Sequence, residues 1–197
     1  ASFAPAPRMV IFGAIDFSAA LCKAGKLLSL DADNSDKAKV VQKHFAPTRD
    51  ALQRLHRWNF NEDFKSLPEG GAAIPDGFDF DKRFPWTADM LGVREVKGCA
   101  RRDWKAQGRS IIANAAAPLK VVASIRVTNV GIWDPLFRTV MVAALAYAIA
   151  PEVATDDDTI ERVRKAAAEA YAKATPVDAG EGIPDQAEEQ DVIQERY

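Results

Sequence analysis

Residues 51–68 read ALQRLHRWNFNEDFKSLP, and the hydrophobic period changes inside this run. Up to Leu55 the apolar positions keep helical spacing. Beyond Trp58, Phe60, Glu62, Phe64 and Ser66 form an alternating segment. A shift from about 3.6 to about 2 marks a helix passing into a strand. Trp58 and Phe60 sit at the changeover, and each ring can bury roughly 150–250 Å². They read as core residues that anchor a helical layer to a sheet layer.

Upstream of this point, the spacing predicts a helix over 36–56. Val41, Phe45, Thr48, Leu52 and Leu55 step along a single face. Pro47 falls inside it and removes a hydrogen bond, so a kink is expected near His44. Lys37, Lys39, Lys43, Arg49, Arg54 and Arg57 make the other faces basic, either as a solvated face or as the lining of a DNA channel. Before it, Asp31, Asp33 and Asp36 invite a calcium reading. The sixth position of that loop is Asp36 rather than glycine, however, and the twelfth is Gln42 rather than glutamate. A turn capped by Asn34 or Ser35 fits better. A shorter helix is expected over 18–28, buried through Leu21, Ala24, Leu27 and Leu28. Residues 1–15, with two prolines and no period, read as an extended N-terminal arm.

Downstream, residues 59–127 carry the signals of short strands and turns. Phe78, Phe80 and Phe84 alternate with charged residues. Leu91, Val93 and Val96 precede Gly98, and Trp104 to Ala113 folds back about Gln107 and Gly108. Pro118 introduces a β-branched run from Leu119 to Val127. Asp134 and Pro135 then start a helix over 135–150, as an N-cap followed by proline. That helix is apolar on nearly every side, through Val140, Ala143, Ala144 and Tyr147, which predicts burial on more than one face. Pro151 is expected to end it. A last helix over 156–175 begins with acids at the positive end of its dipole. Ile160, Val163, Ala167, Ala170 or Tyr171, and Ala174 form its inner stripe. The fold class is therefore α+β: about four helices with a small, mainly antiparallel β region, an N-terminal arm and a C-terminal tail. Residues 16–175 would form the one main domain.

The chain has 197 residues, enough for a real core, and a net charge of −2 that hides an asymmetry. Residues 1–175 hold 25 Lys and Arg against 21 Asp and Glu, a balance of +4, while residues 176–197 hold one against seven, a balance of −6. Val192, Ile193 and Tyr197 are apolar residues inside that acidic tail, which suggests a segment that orders on a partner. Cys22 and Cys99 make no disulfide framework and fit a reducing compartment. No window is apolar enough to span a bilayer, and the first residues do not read as a secretion signal, so a soluble protein made in the cytosol is expected.

Catalytic equipment is not visible in the letters. Neither phosphate-loop nor dinucleotide glycine motifs occur, and His44 and His56 lack a second ligand at metal spacing. Asp79 and Asp81 share one side of a strand and are the one acid–base pair on offer, with no pocket implied around them. No catalytic, cofactor or metal residue is assigned.

Taken in order, the motifs resemble those of the head-to-tail adaptor proteins of tailed bacteriophages. That family includes tail tubular protein A of short-tailed phages and the head-completion proteins beneath the portal. The resemblance runs from about Ala19 to Ala174. It rests on the acidic turn before the long helix, Leu52 and Leu55 ahead of Trp58-Asn59-Phe60, and Leu67-Pro68-Glu69. Further along it rests on Phe84-Pro85-Trp86 before Leu91-Gly92-Val93, Trp104 with Gly108, and Asp134 to Phe137. It implies a structural connector and not an enzyme: a ring, in that family usually of twelve copies, docked below the portal protein at the head–tail junction of the virion. The ring would assemble in the host cytoplasm, extend the double-stranded DNA channel without reading sequence, and present a platform to the next tail component. The C-terminal segment would reach the portal, with Ile183, Val192, Ile193 and Tyr197 as anchors. The core would hold Phe45, Leu52, Leu55, Trp58, Phe60, Trp104, Phe137 and Tyr147. A stopper or tail-completion protein of a long-tailed phage is the neighbouring alternative. A small cytosolic hydrolase using Asp79 and Asp81, or a DNA-binding regulator, would belong to other classes.

Overall fold

The computed structural model describes residues 36–75, 77–153 and 157–181. The expected arm at 1–15, the helix over 18–28, the turn before Asp36 and residues 182–197 of the tail lie outside the described residues. Within them the chain is α+β, with three α-helices and two small antiparallel sheets. The helices are α1 (Asp36–Leu55), α2 (Pro135–Val153) and α3 (Asp157–Glu181). The strands are β1 (Glu62–Leu67), β2 (Lys82–Pro85), β3 (Met90–Val96), β4 (Trp104–Gln107), β5 (Ser110–Ala113) and β6 (Leu119–Ile125).

The chain divides into two compact units. Of the described residues, the first holds 36–49, 58–60, 129–153 and 157–181, and the second holds 50–57 and 61–128.

The first unit is helical. Asp134 caps α2 as its side chain predicts, Oδ1 accepting from the backbone N–H of Leu136 at 2.7 Å and of Phe137 at 3.1 Å. Helices α2 and α3 pack against each other. Both run past their expected ends: α2 continues through Pro151, expected to stop it, to Val153, and α3 passes its expected bound at 175 and continues through Pro176 to Glu181. Each proline forfeits one backbone bond, and side-chain contacts beyond it hold the extra turn. Glu152 takes Lys43 Nζ at 2.8 Å and His44 Nε2 at 2.6 Å, which keep its carboxyl below the usual range. Asp178, buried, accepts the Asn59 N–H at 3.1 Å, while its carbonyl accepts from Asn59 Nδ2 at 2.6 Å. Residues 58–60 are thereby clasped to the end of α3.

Six aromatic rings make the heart of this unit. Phe137 is fully buried, with centroids of Phe60, Trp58 and Trp133 at 4.8, 5.0 and 5.1 Å. Phe45 stacks on Trp133 at 6.3 Å, and Tyr171 meets Trp58 edge-on at 6.4 Å. Phe60, half-buried, belongs to a 3-10 turn over Asn59–Asn61 and not to a strand.

The second unit is a pair of three-stranded sheets in the orders β1-β6-β3 and β2-β5-β4. Every pairing is antiparallel. Leu67, Val96, Leu119 and Val121 from the first sheet meet Phe84, Trp104 and Ile111 from the second in one apolar core. Gln107 pairs with Ser110, so β4 and β5 are joined by the two-residue loop that Gly108 predicts. Its φ of +58° suits glycine, since an L side chain there would crowd the following carbonyl.

Strand β1 runs in the opposite phase to the alternation read from sequence. Leu67 is fully buried, and a period of two then turns Lys65 and Asp63 inward and leaves Phe64 74% exposed. Burying one leucine at the strand end outweighs the phenylalanine before it, because Lys65 finds partners at Asp63 (2.8 Å) and Asp89 (2.9 Å). Phe78 also stays exposed, since the strand begins only at Lys82.

This cluster carries a pH prediction. The Thr87 hydroxyl, and then Lys65, hold the Asp89 carboxyl below its ordinary range, while Asp63, and then Asp89, hold the Lys65 ammonium above its own. A depressed carboxylate contributes stability above its unfolded pKa of about 3.9 and loses it as pH falls through the folded value. A raised ammonium contributes below about 10.4 and loses it as pH climbs through the folded value. Thr87→Ala should thus cost stability at pH 7 and nothing once Asp89 is protonated. Solvent screening keeps the difference below about 1 kcal/mol, and urea melts at pH 7 and at successively lower pH measure how it fades.

Candidate functional site

A polar relay inside the second unit lies beneath one of its hollows. Gln53, with no exposed area, takes a place on α1 where an apolar residue would be expected. It donates to the Val127 carbonyl at 2.8 Å and accepts the Val127 N–H at 3.0 Å, so one side chain closes two backbone bonds. Asn61, also fully buried, donates to the Gln53 carbonyl at 2.7 Å and accepts from Arg94 through its side-chain oxygen. Arg94 completes the relay with Ser124 Oγ and Glu62, both at 2.7 Å. Its side chain is only 4% exposed, so the guanidinium is held in place by three acceptors.

Above Arg94 lies an open hollow of about 370 Å³, bordered by Arg54, Leu55, Arg57, Trp86 and Gly92. Pockets of roughly 300–1,000 Å³ are the usual size for ligand sites. A second hollow of about 390 Å³ adjoins it, flanked by Arg101, Trp104 and Lys105 and sharing Val93 and Ala106 with the first. The two make a trough beside β3 and β4, each an edge strand of its sheet. Gly92 forms part of the floor: a Cβ placed on it meets no atom within 4 Å. Arg57 is 67% exposed and reaches Glu62 only at 3.9 Å. The Trp86 indole N–H is buried without an acceptor, and Arg109 lies 5.7 Å over its ring. No acidic residue borders either hollow, so the trough is basic with apolar patches.

The first unit offers a surface of another kind. On α2, Phe137, Val140, Met141, Leu145 and Ile149 are buried, while Leu136 and Tyr147 are 37% and 41% exposed. Leu136, the half-buried Ala143 and Tyr147 follow one another on a single stripe at about 100° per residue. Ile132, just before the helix, is 57% exposed.

Of the residues assigned to the core, Phe45, Leu52, Trp58, Trp104 and Phe137 are buried and Phe60 is half-buried. Tyr147 is not core, because it lies on that outward stripe. Nor is Leu55, at 66% exposure. The buried positions of α1 are Ala38, Val41, Phe45, Leu52 and Gln53, and Leu55 falls roughly 90° from the middle of that face. Ile183, Val192, Ile193 and Tyr197 lie outside the described residues. Asp79 and Asp81 are exposed, and both backbones are tied to the Asn114 side chain. Among the described residues no group of three or more His, Cys, Asp and Glu could hold a metal ion, and no helix is long and apolar enough to cross a membrane.

Gln53, Asn61, Arg94 and Asp178 were not legible as structural residues. The only trace was a polar residue interrupting an apolar pattern, which most surface positions also show. Compared with known proteins, the chain matches no protein-family model and no curated protein.

Proposed function

We propose that the chain is a structural connector of a tailed bacteriophage, working by assembly and not by catalysis. Copies form a closed ring beneath the portal, continue the channel for double-stranded DNA, and offer the far face to the next tail component. The observation that carries the reading is α2. A helix apolar on all sides is normally covered on all sides, yet Leu136 and Tyr147 remain exposed with Ile132 beside them. A neighbouring copy in a ring covers such a stripe, and a heterologous contact repeated around an axis closes the ring. The ordered series of motifs that resembles the adaptor family supports the same reading. In the tail, Ile183, Val192, Ile193 and Tyr197 supply the apolar contacts to the portal, and repetition around the ring turns weak single contacts into avidity.

Negative-stain images of the full chain mixed with its portal test this. Rings stacked on the portal are expected, and removal of residues 183–197 should abolish attachment while circular dichroism stays unchanged. Copies that remain solitary beside an intact portal would overturn the proposal.

A further inference from the structure

We propose that the basic trough over Gly92 is a docking site for residues 182–191 of a second copy of this chain. The inference rests on the reading of the protein as a ring subunit and names one of the contacts that would join its copies.

Charge is the first argument. Arg54, Arg57, Arg101 and Lys105 line the two hollows and no acid is among the lining residues, Glu62 beside them being held by Arg94. The tail is acidic, and residues 182–191 hold Asp185, Glu188, Glu189 and Asp191 with no basic residue. Shape is the second. The two hollows share Val93 and Ala106, and residues of the edge strands β3 and β4 line them. Edge strands present backbone donors and acceptors to an added extended segment, a common mode of peptide capture. Apolar matching is the third. Leu55 is exposed beside the arginines, and the apolar Pro184 immediately precedes the first of the acids. A nucleic-acid backbone would use the arginines but has no counterpart for Leu55.

Docked in this way, the acidic stretch lies on one neighbour and leaves Val192, Ile193 and Tyr197 free to reach the portal. Arg94 is the fixed point beneath, since Asn61, Glu62 and Ser124 hold it in place whether or not the trough is filled.

The test is a fluorescein-labelled peptide of residues 182–191 titrated onto the full chain and followed by anisotropy. Saturable binding is expected, weakening several-fold between 50 and 200 mM salt as the exposed charges are screened. Gly92→Leu fills the trough where the floor is open, and should weaken binding about tenfold or more. Arg54→Glu with Arg57→Glu, both on the surface, should do the same through charge. A thermal melt confirms that each variant is folded. Absence of binding overturns the proposal, as does binding that Gly92→Leu leaves unchanged or that a scrambled peptide reproduces. A short DNA duplex that binds in the peptide's place, sensitive to the arginines but not to Gly92, assigns the surface to nucleic acid and overturns it too. Because no portal is present, failure here leaves the ring reading standing. Peptide binding by a chain that never forms rings would sink the ring reading alone.

Discussion

Phe137→Ala is expected to lower the unfolding free energy by about 3–5 kcal/mol, as full removal of a buried aromatic ring typically does. Phe137 has no exposed area, and three other rings meet it within 5.1 Å. Alanine would forfeit the transfer energy of the ring and leave a cavity between Trp58, Phe60 and Trp133, whose rotamers are fixed by the helices and the clasp around them. Each favourable ring pair adds roughly 0.5–1.5 kcal/mol beyond area burial, so the cost should fall in the upper part of that range. Urea melts followed by tryptophan fluorescence measure it, since Trp58 and Trp133 both touch the site.

Tyr147→Ala makes the comparison sharp. It lies on the same helix and carries a ring of similar size, but on the exposed stripe. Its removal should change the stability of the isolated chain by less than about 0.5 kcal/mol. If the stripe is covered in a ring, the same change should instead weaken assembly, which sedimentation reads directly. A loss below about 1 kcal/mol for Phe137→Ala would mean that the six rings do not form the heart of the first unit.

Element types were readable from sequence wherever one local cause dominates. Asp134 followed by Pro135 has no better use than starting a helix, and the hairpin at Gly108 needs a residue that tolerates positive φ. The inner stripe of α3, from Ile160 to Ala174, is half-buried or buried as its spacing implies. Outcomes decided between distant residues were not readable. Pro151 and Pro176 are stop signals by themselves, and they failed because Glu152 and Asp178 bind Lys43, His44 and Asn59 far away in the chain. The phase of β1 turned on the same kind of competition, since Phe64 or Leu67 could face inward but not both fully. The trough could not have been foreseen at all. Its floor is a glycine and its fixed point an arginine in a strand, and neither residue type announces concavity.

The buried relay yields the second large effect. Gln53→Leu keeps approximate volume and removes both bonds to Val127, so a cost of about 1–3 kcal/mol is expected, at roughly 0.5–1.5 kcal/mol for each hydrogen bond lost. That cost should not depend on pH. Gln53→Glu should. Glutamate can still accept the Val127 N–H, but ionised it cannot donate to the carbonyl, and it places a charge where no surface is exposed. Burial would raise its folded pKa above the unfolded value of about 4.3. The charged form then destabilises at every pH above that unfolded value, increasingly up to the folded pKa, and the penalty fades as acid restores a proton that can donate to Val127. Two variants at one position thus give different pH profiles: flat for leucine, and worsening from acid to neutral for glutamate. Asn61 bonds to the backbone carbonyl of residue 53, which both variants retain, so Arg94 should keep its place and the trough its shape. Peptide binding that survives Gln53→Leu at temperatures where the chain stays folded would show that Gln53 stabilises the second unit without shaping the docking surface. Loss of binding under those conditions would mean that the Val127 clamp, and not Arg94, sets the geometry of the floor.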